Sequence, residues 1–422
     1  MAKAAPSPMT EPPSASLLRE RLFVQFWVAR FSTTIAMFMQ AVAVGWQMYD
    51  LTGRPLDLGL VGLVQFIPSF LLVLAAGHFA DRHDRRRIIS AAQAVAGLAS
   101  ALLTIGTAGG LMTREWILGT VFVVGVARAF EQPTVAALLP ALVPPPLLPR
   151  AVAASSAAGQ LGMIVGPAIG GLIYAVSPIL VYGLCCSLFL VASILMFFLR
   201  TGAHQARREP VTLAHLFAGI GFIRTNPVVL GAMMLDLFAV LLGGATALLP
   251  IFARDILQTG PWGLGVLRAA PAIGALTVSV LMTQFPPRQR VGGVIFAAVT
   301  GFGFATLAFA SSTSFVLSAL ALVVLGGTDM VSVVARQTLI QLHTPDAMRG
   351  RVNAVSSMFV VASNQLGDFR AGAMAAWLGA VPAVLIGGLG TLVVVLACWR
   401  MFPALARVDR FEPADTGVAK TA

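Results

Sequence analysis

Charge is scarce in this chain: Asp, Glu, Lys and Arg together make up 11% of its 422 residues. A water-soluble domain keeps roughly a quarter of its residues charged, so this composition excludes an ordinary soluble fold. Cysteine is equally sparse. Cys185, Cys186 and Cys398 all lie in apolar stretches without Cys-x-x-Cys spacing, which excludes a disulfide framework and a metal site built on it. Both lysines, Lys3 and Lys420, sit in the tails. No Gly-x-x-x-x-Gly-Lys-Ser/Thr segment occurs, so ATP is not expected as the direct energy source. The apolar/polar alternation of a membrane β-barrel is missing, as are the short apolar core and cleavage site of a signal peptide. No Ser/His/Asp, His-rich or paired-carboxylate constellation appears at a useful spacing, so neither an enzyme nor a bound cofactor or metal is expected.

Long apolar runs fill the chain instead. It is 58% hydrophobic with a mean hydropathy of +0.87. Runs of about 20 apolar residues recur, each long enough to cross about 30 Å of hydrocarbon as a helix. Breaking the chain at charged, Pro and Gly clusters predicts twelve spans, at 22–49, 57–80, 86–108, 115–143, 148–176, 178–200, 227–253, 261–285, 291–311, 314–343, 350–379 and 381–402. The expected fold class is therefore an all-α membrane protein, its main partner a lipid bilayer. The net charge of +11 does not point to nucleic acid, because the arginines concentrate in loops on one face. That face carries Arg82, Arg85–Arg87, Arg150, Arg200, Arg207, Arg208, Arg224, Arg288, Arg290, Arg349 and Arg351, against Arg54, Arg114 and Arg254 on the other. By the positive-inside rule both termini are expected in the cytoplasm.

The longest polar connection divides the chain into a tail 1–21, a six-span half 22–200, a linker 201–226, a second half 227–402 and a tail 403–422. Traces of duplication recur at an offset of 205 residues: Asp50 with Asp255, Glu131-Gln132 with Arg336-Gln337, Pro140 with Pro345, and Gln160-Leu161-Gly162 with Gln365-Leu366-Gly367. The shared offset predicts two homologous six-helix bundles, and halves of that kind place a substrate site at their interface near the bilayer midplane.

The hairpin at 77–90 is the most specific local signal. Gly77, Asp81, Arg82, Arg85 and Arg86 in that turn resemble the loop between helices 2 and 3 of the major facilitator superfamily, roughly Gly-x-x-x-Asp-Arg-x-x-Arg-Arg. The match departs from the common form at His83-Asp84, and its counterpart in the second half keeps only Arg288 and Arg290. Gly162, Gly166, Pro167 and Gly170 in the fifth span are similar to a Gly-Pro motif carried by many antiporters of that superfamily. Small residues at this spacing also allow close helix packing in general. Longer segments, Ala127–Pro133 with Leu138–Pro144, and Asp329–Gln341 through Thr344–Asn353 to Ser363–Gly372, resemble the enterobactin-exporter group.

The resemblance implies two pseudo-symmetric six-helix bundles and a bacterial inner-membrane exporter of siderophores or drug-like amphiphiles. It further implies alternating access, a small-molecule substrate, protons as the coupling ion and a monomer. A lysolipid flippase, an importer, or a non-transporting sensor or scaffold on the same fold are the alternatives. Gly77 is expected to allow close helix approach, and Asp81 to latch the cytoplasmic gate against span 11.

Ionisable residues inside spans cost about 2.5–3.5 kcal/mol each on insertion scales, which makes them functional candidates. Glu131, Asp236, Asp329 and Asp368 qualify, with Arg30, Arg128, Arg268, Arg336 and Arg370. Repeat equivalence suggests Glu131–Arg336 and Arg30–Asp236 as ion pairs across the halves, broken and re-formed as these rock. Pairing within one half, Arg128 with Glu131 at i,i+3 or Asp368 with Arg370, is the alternative. Phe26, Trp27, Phe31, Met37 and Phe38 of span 1 and Met233, Met234 and Phe238 of span 7 are candidates for an adaptable apolar pocket.

Overall fold

The computed structural model describes Leu17 and residues 20–199, 213–285 and 289–411, apart from the side chains of residues 73, 74, 78, 80, 81 and 213–216. Long helices dominate. They are span 1 (Arg21–Thr52), span 2 (Pro55–Arg82), span 3 (Arg85–Ala108), span 4 (Arg114–Leu138), span 5 (Leu148–Val176) and span 6 (Pro178–Phe197). The second set is span 7 (Pro227–Ile256), span 8 (Gly260–Gln284), span 9 (Val291–Ser311), span 10 (Phe315–Leu342), span 11 (Asp346–Leu378) and span 12 (Ala380–Met401). Among the described residues, 11 of these are long and apolar enough to cross a membrane. Span 11 is the exception. It is 33 residues long but carries Asp346, Arg349, Arg351, Asp368 and Arg370, and it packs among spans 2, 7 and 12.

Local chemistry sets the helix ends. Pro55, Pro178 and Pro227 sit in first turns, where no backbone N–H is required. The side chains of Asp84, Thr113 and Asn226 accept from backbone N–H groups of the turns they cap. Gly53, at φ 60°, ends span 1 in the left-handed region that glycine tolerates best. Pro68, Pro133, Pro167 and Pro271 lie within helices, as membrane bundles allow when neighbours re-satisfy freed backbone groups.

Packing repeats between the halves. Spans 1·5, 1·6, 2·4, 3·4, 3·6 and 5·6 are neighbours, and each pair has its counterpart six spans later. The two main seams between halves, 2·11 and 5·8, exchange under the same relation. Outward faces carry exposed Leu71, Leu98, Ile105, Val176, Leu396 and Met401, an apolar surface that suits lipid rather than water.

Three features depart from the sequence expectations. Span 7 is broken: Pro227–Gly243 gives way to a 3-10 turn at Thr246–Leu248, a short helix at Leu249–Ile251 and a π-helix at Phe252–Ile256. Gly243 and Gly244 are poor helix formers and Pro250 lacks an N–H, so the i to i−4 ladder lapses there. The described part of the expected linker contains a helix, Leu213–Thr225, whose apolar Ile220, Phe222 and Ile223 dock onto spans 7 and 11. The C-terminal segment also packs: after a short helix at Pro403–Ala406, Val291 and Gly292 N–H donate to the Asp409 and Val408 carbonyls.

Contacts between halves cluster at the Arg-poor face. A Cβ added at Gly171 in span 5 would stand 2.5 Å from the Pro261 carbonyl oxygen and 2.9 Å from Gly265 Cα of span 8. In spans 2 and 11, a Cβ on Gly372 would stand 2.9 Å from Gly59 Cα. Small residues let these backbones touch, which is how membrane helices gain dispersion contacts without a hydrophobic drive.

Candidate functional site

A cavity of about 710 Å³ lies in the first half toward the Arg-rich face. Phe26, Met37, Phe38, Leu139 and Met163 form its apolar wall, while Arg30, Gln93, Arg128, Glu131 and Gln160 supply its polar groups. A second cavity of about 200 Å³ lies between the halves, sharing Met37, Phe38 and Arg128 with the first and adding Gln65, Arg268, Gln365 and Asp368. The two spaces adjoin at these shared residues. Five of the nine ionisable candidates therefore line the cavities: Arg30, Arg128, Glu131, Arg268 and Asp368.

The ion pairing is not the one repeat equivalence suggested. Arg336 pairs with Asp236, both buried inside the second half, rather than reaching Glu131 across the interface. Glu131 accepts from Gln93 Nε2 at 3.0 Å, and Arg30 donates from Nε to the Ser155 carbonyl at 3.3 Å. The physical reason lies in the duplication. Spans 1 and 4 are neighbours in one half, as spans 7 and 10 are in the other, so Arg30 near Glu131 corresponds to Asp236 beside Arg336 with the charges exchanged.

The within-half alternatives also fail as ion pairs. Arg128 has no carboxylate within 4.0 Å among the described residues. Asp368 accepts from Thr246 Oγ1 at 2.8 Å and from the Ala247 N–H at 3.3 Å, holding the break in span 7. Arg370, two residues on and so on another face of the helix, donates to the Leu242 carbonyl and approaches Met374 Sδ at 3.0 Å. Asp329 lies two turns from Arg336 on span 10.

Asp84, Arg85 and Arg86 of the hairpin make contacts within their own half. Asp84 caps span 3, accepting from Arg86 N–H at 3.0 Å and from the Arg86 guanidinium, which holds the Asp84 carboxyl below its ordinary range. Arg86 also donates to the Leu199 carbonyl at the end of span 6, and Arg85 to the Ala137 carbonyl in span 4 at 3.0 Å. Both arginines thus satisfy carbonyls left open at helix C-termini. Arg82 is exposed. Gly77 does not mediate close approach, since a Cβ there would meet nothing within 4 Å. The Asp81 side chain lies outside the described residues, and so does the expected latch.

The Gly-Pro motif packs inward. Gly162, Gly166 and Gly170 face span 1, where added Cβ atoms would meet Thr34, Phe38 and Met39 at 2.6, 2.8 and 2.8 Å. Pro167 contributes its carbonyl to the seam with span 8, 2.5 Å from a Cβ placed on Gly265. Of the aromatic and Met candidates, Phe26, Met37 and Phe38 line the cavities. Trp27 stacks on Phe31 and donates to the Ala154 carbonyl, Met233 is buried in the second half, and Phe238 is exposed.

Two groups escaped the sequence reading. Gln93, polar in an apolar span, joins Thr33 to Glu131. At the Arg-poor end, Tyr49 Oη donates to Asp255 at 2.5 Å and Arg254 pairs with Asp50 at 3.0 Å. The repeat relates Tyr49 to Arg254 and Asp50 to Asp255, so the contact is a crossed clamp between the ends of spans 1 and 7. The signal for it was present in the Asp50/Asp255 repeat trace. A polar tie also joins spans 2 and 4 there, where Arg114 meets the buried Asp57 at 2.7 Å.

Comparison with known proteins agrees with this architecture. A family model described as "transmembrane secretion effector" matches residues 13–415. The enterobactin exporter EntS of Escherichia coli O1:K1 / APEC is 26% identical over 401 residues, covering 93% of this chain and 95% of that one. Among solved structures, a bacterial homolog of the human lysosomal transporter Spinster, inward-facing and unoccupied, superposes with a TM-score of 0.74 at 13% identity, covering 95% of this chain and 100% of that one. A bacterial homologue of the iron transporter ferroportin in an inward-facing state gives a TM-score of 0.64 at 19% identity, over 93% of this chain and 100% of that chain. At these identities the solved structures establish the fold alone.

Proposed function

We propose, from the premise that the chain belongs to the transmembrane secretion effector family of the major facilitator superfamily, that it exports a small amphiphilic molecule across a bacterial inner membrane. Membership makes it a multi-pass secondary transporter of a small molecule and not an enzyme. The finer reading is our own: both termini face the cytoplasm, the halves 22–200 and 227–402 rock about a central site, and proton antiport drives export.

One observation carries the reading. The clamp of Tyr49, Asp50, Arg254 and Asp255 and the glycine seams close the Arg-poor face, while the 710 Å³ cavity lies toward the Arg-rich one. With the Arg-rich face in the cytoplasm, this is the inward-facing state from which an exporter loads. Glu131, Asp236, Asp329 and Asp368 are the groups positioned to carry protons, because each is a carboxylate enclosed by the bundle. The similarity to enterobactin exporters supports siderophore-like cargo.

The test is uptake into inverted membrane vesicles under an imposed proton gradient, screening catecholate siderophores, macrolides and lysolipids. Gradient-dependent accumulation of at least one compound is expected, reduced in Glu131→Gln. Absence of accumulation for every compound would overturn the exporter reading.

A further inference from the structure

We propose that the adjoining cavities form an anion site and that the cargo is an amphiphile with a negatively charged head group; this rests on the transporter reading of the same space. Three arginines reach it, Arg30 from span 1, Arg128 from span 4 and Arg268 from span 8. Two carboxylates share it, Glu131 and Asp368, which leaves one net positive charge.

The bonding pattern argues more strongly than the count. Each carboxylate takes its hydrogen bonds from uncharged donors, Glu131 from Gln93 and Asp368 from Thr246 and the Ala247 N–H. Among the described residues, none of the three arginines has a carboxylate within 4.0 Å. Among the described residues, Arg30 uses Nε on the Ser155 carbonyl, Arg268 Nε is buried without a hydrogen-bond partner, and Arg128 makes no hydrogen bond. Arg336, which lines neither cavity, is by contrast paired directly with Asp236. The bundle therefore pairs Arg336 with a carboxylate and leaves the cavity arginines open.

An enclosed guanidinium without a partner is costly, and a carboxylate, sulfonate or phosphate relieves that cost through short, charge-assisted and often bidentate bonds. A cationic cargo would meet a net positive charge in a poorly screened space. Arg128 stands where the cavities meet and Arg268 comes from the other half, so one anion held by both would draw the halves together. Phe26, Met37, Phe38 and Met163 offer a flexible apolar wall for the rest of the molecule. A space of about 710 Å³ falls in the range that holds drug-sized ligands.

The test compares three fluorescent probes that share one body: dansylglycine (anionic), dansylamide (neutral) and dansylcholine (cationic). Equilibrium binding is measured on the full chain in phosphatidylcholine nanodiscs, with empty discs subtracted. Dansylglycine should bind at least about tenfold more tightly than dansylcholine, a difference of about 1.4 kcal/mol, with dansylamide between them. Arg128→Gln should weaken dansylglycine by about tenfold and leave dansylamide within about twofold. Arg128→Lys should preserve the order, which separates loss of charge from loss of fold. An equal or reversed order in the parent protein, an Arg128→Gln variant that weakens all three alike, or binding of none would overturn the proposal. Equilibrium binding requires no transport, so failure of gradient-driven uptake would refute the exporter reading while leaving the charge order intact.

Discussion

Replacing Gly171 with Ala should shift the protein toward the state in which the Arg-poor seam is open. The new Cβ would stand 2.5 Å from the Pro261 carbonyl oxygen, and backbone atoms cannot swing aside as a flexible side chain can. Overpacking of this kind costs about 1–3 kcal/mol. The cost falls only on the conformation that brings spans 5 and 8 together at this point. Alanine's helix-propensity gain of about 1 kcal/mol over glycine applies in both conformations and cancels. The ratio of closed to open molecules should therefore fall by roughly 5- to 150-fold. Spin labels at Thr113→Cys and Thr313→Cys, exposed on the Arg-poor side of the two halves, report the opening as a longer distance once the three native cysteines are replaced by alanine. Gly166→Ala is the control. Its Cβ would meet Phe38 Cβ at 2.8 Å, but within the first half, so it should lower thermal stability without lengthening the distance. An unchanged distance distribution in Gly171→Ala, or the same shift in Gly166→Ala, would refute the reasoning.

Two further outcomes follow from the ionic contacts. Asp236→Asn leaves Arg336 charged and buried without its partner, so it should destabilise the second half by about 3–5 kcal/mol, read as a lower melting temperature in detergent. Asp236→Leu with Arg336→Met should recover much of that loss, because neither charge then remains to be desolvated. Asp84, held below its ordinary range by Arg86, contributes stability that is present above the unfolded carboxylate pKa of about 3.9 and is lost as pH falls through the lower folded value. Asp84→Asn should therefore melt below the parent at neutral pH, with the gap closing below about pH 4.

The helical spans were legible because hydrocarbon imposes its thickness on composition. Runs around Gly97, Cys185 or Gly387 can be little other than membrane helices. The break in span 7 was not legible, since Gly243 to Pro250 stays apolar and hydropathy does not register a lapse in hydrogen bonding. Repeat equivalence suggested Glu131–Arg336 and Arg30–Asp236 pairs, and neither forms, because such equivalence says where a residue sits in its own half, not that it faces its twin. The rotation of each helix decides that, and packing sets rotation. The same duplication supplied the Tyr49–Asp50 and Arg254–Asp255 clamp, whose partners do meet, because the ends of spans 1 and 7 converge on the pseudo-symmetry axis at the Arg-poor face. Gln93 passed unnoticed because a neutral amide barely changes hydropathy, although it holds Glu131 in place.

The central claim is that transport requires this clamp to open. Asp50→Cys with Arg254→Cys, in a chain otherwise without cysteine, can be joined by a short bismaleimide across the ends of spans 1 and 7. The measurement is gradient-driven uptake, into inverted vesicles, of whichever compound the parent protein accumulates. Crosslinking should abolish uptake while the same variant, unlinked or modified with a monofunctional maleimide, retains it. Uptake at the unlinked rate in fully crosslinked protein would contradict the account.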